Sequence, residues 1–255
     1  MTTIVSYNVN SFRSATEKGL LDWIDENDFD VVCLQETKSR DGKVPRILID
    51  SLGYHHHWHH AEQSGYSGVA TLSKRKPSRI ISGTGIEKYD REGRVLRTDF
   101  DDWTLLNCYF PNGGRGEERQ QFKMRFLDDF YALVDNLLLD QPNLIVVGDY
   151  NIAHGEIDLA HPGRHHNTSG FLPEERAWMT QFFQNGIVDA FRHLNPDKVE
   201  YSWWRFNPGV REKNLGWRYD YMGVSDALIY RVKDVRHLKQ VEHSDHCPVW
   251  MEIDF

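Results

Sequence analysis

Residues 144–151 read Leu144-Ile145-Val146-Val147-Gly148-Asp149-Tyr150-Asn151: four apolar side chains, a glycine, then a carboxylate, a phenol and a carboxamide. A run this short and this rich in β-branched residues reads as a strand buried on both faces. Where such a strand stops in polar groups, it delivers them to the rim of a sheet, the place where ligands bind in α/β folds. The run is far shorter than the roughly 20 residues that span a bilayer.

Working outward, the same grammar recurs. Thr3–Tyr7 leads into Asn8-Val9-Asn10, and Val31–Leu34 into Gln35-Glu36. Val69–Leu72 and Leu105–Phe110 are further strands, Tyr219–Val224 carries Asp220 at its start, and Val249–Ile253 follows Ser244-Asp245-His246. Between them, 117–140 places Phe122, Phe126, Phe130, Leu133 and Leu137 on one helical stripe. A second helix is expected from the Ser14-Ala-Thr-Glu17 capping box, presenting Leu20, Leu21 and Ile24, and a third from Pro173, a residue suited to a first helical turn. Strands and helices interleave without a linker or a change of composition, so an α/β chain with helices covering sheets is expected, in a single domain over 1–255. The polar loops at 38–46, 111–118, 154–172 and 205–217 are the expected substrate-facing edges.

Composition narrows the function. A net charge of −8 excludes a protein coated in positive charge, so any contact with a polyanion must be local. Acidic residues around a cation achieve this, because the ion reverses the local field. Cys33, Cys108 and Cys247 lie far apart among apolar neighbours and read as buried reduced thiols, with neither a disulfide framework nor a zinc spacing. Met1–Val9 has no basic leader and no long apolar stretch. A soluble cytoplasmic protein with no membrane association is expected. The tract His55–His60 looks like a metal site, but alternating faces of a strand explain it better.

Several polar strand ends imply one shared site. Phosphodiester hydrolysis needs a positioned water, a group to deprotonate or orient it, neutralisation of the phosphoryl oxygens and help for the leaving oxygen. Asp, Glu and Asn side chains with one His supply that list, and they match the hard-oxygen preference of Mg²⁺. Each residue alone also has a plainer reading: Asp and Asn cap turns, Asp220 and His246 could form a structural pair, and Tyr109, Trp203 and Trp217 could be core.

The ordered set Asn8, Leu34-Gln-Glu36, Tyr109-Phe-Pro-Asn112, Gly148-Asp-Tyr-Asn151, Trp217-Arg-Tyr-Asp220-Tyr221 and Ser244-Asp-His246 resembles abasic-site endonucleases of the exonuclease III type, within the endonuclease/exonuclease/phosphatase superfamily. The resemblance runs from Ile4 to the C-terminus. It implies a four-layer α/β sandwich, two facing mixed β-sheets flanked by helices, with the active site at one end. By resemblance, Glu36 is the main Mg²⁺ ligand and Asp245 a second contact, with Asn10, Asp149 and Asn151 in the metal's surroundings and Mn²⁺ able to substitute. Asn10 departs from those members that carry a metal-binding Asp there. Asp149 activates or aligns the attacking water, held by Asn8 and Asn151. His246, oriented by Asp220, binds phosphate, and Tyr109 lies near the scissile phosphate or the leaving oxygen. For DNA, the resemblance implies a pocket formed by Trp203 and Trp217, insertion of Arg115 beyond Asn112, and backbone or groove contacts from Arg13, Lys38 and Arg211. The implied substrate is duplex DNA with an abasic site or a damaged 3′ end, approached by a monomer. Other phosphoesterases of the superfamily, namely non-specific nucleases, RNA deadenylases and inositol-phosphate phosphatases, share the Asn, Glu, Asp-x-Asn and Asp-His elements and are the alternative.

Overall fold

The computed structural model describes residues 1–40 and 44–255, so 41–43 of the expected loop 38–46 lie outside the described residues. One sheet is assembled from β1 (Thr2–Asn8), β2 (Val31–Gln35), β3 (His55–His59), β4 (Val69–Ser73), β11 (Val232–His237) and β12 (Val249–Ile253), in the order β11-β12-β1-β2-β4-β3. The other is assembled from β5 (Arg79–Ser82), β6 (Val95–Asp99), β7 (Thr104–Tyr109), β8 (Leu144–Asp149), β9 (Ile187–Asp189) and β10 (Asp220–Ser225), in the order β5-β6-β7-β8-β10-β9. Helices α1 (Phe12–Glu17), α2 (Leu20–Asn27), α3 (Arg46–Ser51), α4 (Glu87–Asp90), α5 (Glu117–Asp140), α6 (Pro173–Gln184) and α7 (Ala190–Leu194) complete the chain.

Strand alternation explains the layers, since successive side chains point to opposite faces. Ile4, Val31, Cys33, Ile145, Val147 and Met251 meet in the cluster between the two sheets. Their neighbours Val5, Val32 and Leu34 face outward onto Leu20, Leu21 and Ile24 of α2. Leu144 and Val146 face outward onto Phe126, Phe130 and Val134 of α5 and Met179 and Phe182 of α6. Helix, sheet, sheet and helix stack in that order, the sandwich that the resemblance implied.

Each sheet holds one parallel pair, β1 with β2 and β7 with β8. A parallel pair puts both C-terminal ends on the same side, so Asn8 lies beside Gln35, and Tyr109 beside Asp149. Strand β10 runs antiparallel to β8 and begins at Asp220, level with Asp149. Gly148 is required where it stands: its φ is 140°, and a Cβ there would lie 1.8 Å from the Cys108 carbonyl oxygen of β7.

Two expectations need correction. No helix starts at Ser14. Ser11 caps α1 by accepting from the Ser14 N–H, and the chain breaks at Lys18-Gly19, with Gly19 at φ 97°, before α2 presents Leu20, Leu21 and Ile24. Helix α5 has the expected bounds, but Val134 lies in its buried stripe, while Phe122 and Leu133 are only partly covered. Strands β5, β6, β9 and β11 add to those expected from the sequence.

Candidate active site

Asp149 ends β8 at 1% exposure, and its neighbours fix both carboxylate oxygens. Oδ1 accepts the Asn151 N–H at 2.8 Å, and Oδ2 accepts Asn8 Nδ2 at 2.8 Å. Asn151 sits in the left-handed region at φ 51°, a conformation Asn tolerates better than most residues, and this turns its backbone N–H back onto Asp149. Its carboxamide donates to the Phe110 carbonyl at 3.0 Å and accepts Asn112 Nδ2 at 3.0 Å. Burial, with Asp220 adding to it and His246 opposing it, raises the Asp149 carboxyl well above its ordinary value.

His246 lies over this floor. Its Nδ1 meets Asp220 Oδ2 at 2.8 Å and its Nε2 stands 3.8 Å from Asp149 Oδ2. Burial alone would depress the imidazole, but the carboxylates, Asp220 first, outweigh it and raise its pKa to about 10. The ring is therefore a cation whose Nε2–H faces the site. Asp220 is itself held from behind, its N–H donating to Ser202 Oγ at 3.0 Å.

The opposite side is acidic. Glu36 follows β2 at φ 48° and accepts Asn8 Nδ2 at 3.1 Å, so one carboxamide spans Glu36 and Asp149. Burial works to raise the Glu36 carboxyl, but Lys38, whose ammonium is 3.0 Å from Oε2, and the Asn8 bond hold it below its ordinary value. Lys38 also donates to Asn10 Oδ1, and Asn10 Nδ2 donates to Asp245 Oδ1 at 2.9 Å. Asp245 accepts Trp203 Nε1 at 3.0 Å and Ser244 Oγ at 3.1 Å. Glu36, Asp149 and His246 each offer one ligand atom within 4.8 Å of the others. The carboxylate oxygens fit a hard divalent cation. His246 does not, because an imidazolium has no lone pair to give a metal.

Above these groups opens a cleft of about 660 Å³, lined by Glu36, Tyr109, Asp149, Trp203, Trp217 and His246 among others. Trp203 and Trp217 form its aromatic wall with Tyr219, and Trp203 is bridged to both Trp217 and His246 through the backbone. The Tyr109 ring lies under the Arg94 guanidinium at 4.8 Å. Burial and the Glu36 carboxylate push its phenol well up, so it remains a neutral donor.

Residues 5–246 match the model of the Endonuclease/Exonuclease/phosphatase family. The chain belongs to that family. It is 41% identical over 254 residues to an exodeoxyribonuclease of Bacillus subtilis, covering 98% of this chain and 99% of the relative. It is 39% identical over 255 residues to a DNA-(apurinic or apyrimidinic site) endonuclease of Dictyostelium discoideum, covering 98% of this chain and 70% of the relative. Among solved structures, a 3′ phosphatase from Neisseria bound to a product DNA hairpin superposes with a TM-score of 0.93, at 26% identity and full coverage of both chains.

In this member of the endonuclease/exonuclease/phosphatase family, the expected DNA-facing residues fall in three places. Asn112, Trp203 and Trp217 line the cleft. Arg13 and Lys38 line a neighbouring hollow of about 490 Å³, and Arg115 is exposed on the loop between β7 and α5 without lining either one. Arg211 is turned inward: its guanidinium donates to the carbonyls of Ser244, Lys239 and Val241 and stacks at 4.6 Å on Trp204. Those bonds tie the 205–217 loop to the segment that carries Asp245 and His246. Arg211→Ala is expected to cost about 2 kcal/mol, from hydrogen bonds to a charged group at about 1.5–3 kcal/mol each less what water restores. Thermal denaturation would register that loss, and an unchanged melting temperature would reduce Arg211 to a surface charge.

Arg205, Asn207, His165, Thr168 and Ser169 also line the cleft and were not singled out in the sequence. They belong to the loops expected to face substrate, but loop composition does not say which side chains point inward. The histidines of β3 lie on an edge strand, and among the described residues they form no metal-ligating group. All three cysteines are free and buried. Among the described residues, no helix is long and apolar enough to cross a membrane.

Proposed function

We propose that this chain is a Mg²⁺-dependent DNA-repair phosphodiesterase that incises duplex DNA 5′ to abasic sites and trims damaged 3′ ends. The observation that carries this reading is the Asp149 carboxylate. It is pinned by Asn8 and Asn151 on the floor of the cleft, 3.8 Å from the Nε2 of a protonated His246 and beside the wall formed by Trp203 and Trp217.

Each group then has a task. Asp149, a stronger base than an ordinary carboxylate because it is buried, accepts the proton of the attacking water. Asn8 and Asn151 prevent it from rotating away. His246 donates from Nε2 to a non-bridging phosphoryl oxygen, while Asp220 keeps the ring oriented and charged. Tyr109, a neutral phenol, donates toward the leaving oxygen. A divalent cation at Glu36, with Asp245 and Asn10 beside it, would supply charge neutralisation on the phosphoryl group. Trp203 and Trp217 offer a flat apolar surface to a sugar that has lost its base, whereas an intact nucleotide must be unstacked at a cost of a few kcal/mol. Arg205 places a positive charge beside the same cleft.

The names of the relatives support the nuclease reading over an inositol-phosphate or lipid phosphatase. The buried thiols fit a reducing cytoplasm, and we expect a monomer built as one catalytic domain.

A duplex with a single tetrahydrofuran abasic analogue tests the proposal. Incision 5′ to the lesion is expected with Mg²⁺, weaker or comparable incision with Mn²⁺, and none with EDTA. Equal cleavage of undamaged duplex would remove the lesion specificity, and incision that survives EDTA would remove the metal.

A further inference from the structure

Lys123 lies on α5 among Phe122, Met124, Phe126 and Leu127, yet its side chain is fully buried, as is that of Glu175 in the first turn of α6. The two ions meet at 2.7 Å. Taking such a pair out of water costs several kcal/mol per ion, and well-packed apolar residues often do as well or better for stability. Stability alone therefore does not account for it.

The remaining bonds of the pair point to a different role. Lys123 Nζ donates at 2.8 Å to the backbone carbonyl of Asn151, the residue whose left-handed turn aims its N–H at Asp149. On the other side, Glu175 Oε2 accepts the N–H groups of Gly170 at 2.6 Å and Leu172 at 3.0 Å. Its Oε1 accepts Gln120 Nε2 at 3.0 Å, and Gln120 in turn accepts the Ser169 hydroxyl at 2.7 Å. The two segments so gripped also hold each other, since Ala153 N–H donates to the Gly170 carbonyl at 2.8 Å. Gly170 has to be glycine: its φ is +96°, and a Cβ would stand 2.5 Å from the Tyr219 hydroxyl and 3.2 Å from the Asn151 carbonyl. Thr168 and Ser169 form part of the cleft wall, and Asn151 part of its floor.

We propose that Lys123 and Glu175 are positioning residues, a buried clamp that sets the Asn151 turn, and through it Asp149, against the 168–172 segment, whose Thr168 and Ser169 wall the cleft. Neither side chain lines the cleft. In its effect on rate, the clamp rests on the phosphodiesterase function proposed above; in its effect on structure it does not. An ion pair suits this task better than apolar packing, because charge-assisted bonds are short and directional and fix atoms rather than volumes.

The test uses the full chain, wild type against Lys123→Met and Lys123→Met/Glu175→Gln. Lys123→Met leaves a buried carboxylate without its cation and is expected to lower the melting temperature sharply. The double variant removes both charges at nearly constant shape and keeps the fold. Its single-turnover incision of the abasic duplex should nevertheless fall about 10- to 100-fold, as a small misplacement of the reacting groups predicts. Affinity for the duplex should stay within about threefold, since a positioning role affects turnover rather than uniform binding. Amide hydrogen exchange should accelerate at 149–153 and 168–172 and stay unchanged in β1, β2 and β12. A double variant with wild-type turnover and wild-type exchange would overturn the clamp. If the wild-type protein itself fails to incise, the functional reading falls, and exchange alone decides the clamp: localised acceleration supports it and an unchanged pattern overturns it.

Discussion

Asp149→Asn is expected to lower single-turnover incision of an abasic duplex by about 10²–10⁴-fold, the range over which one positioned acid or base contributes. The substitution is nearly isosteric and leaves one oxygen to accept either the Asn151 N–H or Asn8 Nδ2. The fold should persist, with a melting temperature shifted by a few degrees at most, because roughly 1 kcal/mol moves a chain of this size by about 2–4 °C. What the proposed mechanism loses is its proton acceptor. Burial lifts the carboxyl above its ordinary value, and that same shift makes Asp149 the strongest carboxylate base in the cleft. Stopped-time assays at saturating enzyme, with and without Mg²⁺, isolate the chemical step. A variant within tenfold of wild type would move the base elsewhere, and Glu36 would be the first place to look.

The second large effect concerns His246 and Asp220. His246→Asn is expected to cost about 10²–10³-fold in the same assay, the usual loss when one preorganised donor to a developing negative charge is removed. Asp220→Asn should act through pH. With Asp220 in place the imidazole pKa is raised to about 10, so the ring is protonated below that pH and loses its proton above it. Activity that needs the imidazolium therefore holds through neutral pH and falls along an alkaline limb. Without the Asp220 charge, burial, which depresses the imidazole, is opposed chiefly by Asp149, and the protonated window retracts toward lower pH. The limb should move to lower pH, with the variant closest to wild type at the acidic end of the profile. A limb that stays in place would leave Asp220 with only an orienting role.

Much of this site is foreshadowed along the chain. Strands β1, β2, β7 and β8 are largely buried and mostly apolar, and each is followed or ended by a polar residue of the site: Asn8, Glu36, Tyr109 and Asp149. Burial on two faces disfavours polar side chains until the strand ends unless they are bonded, as Ser6 and Asn107 are through Gln35, so the change from apolar to polar marks the rim. The long period of α5 was legible for the same reason, as one face must be covered. The break between α1 and α2 was not, because the Ser14 capping pattern is satisfied by two different starts and only the Ser11 hydroxyl, already bonded to the Ser14 N–H, selects between them.

The sequence by itself determined the interleaved strands and helices of an α/β chain, the order of the polar strand ends, and the kind of chemistry that Asp, Asn, Glu and His can perform at a sheet rim. Those properties depend on residue type and short-range period, which are local. The tertiary structure alone decided that Asn8 spans Glu36 and Asp149, that Arg211 faces inward while Arg205 faces the cleft, and that Lys123 meets Glu175 across 52 positions of chain. Long side chains on separate elements acquire partners only when packing fixes the angles and distances between those elements, and no period in the sequence encodes that meeting.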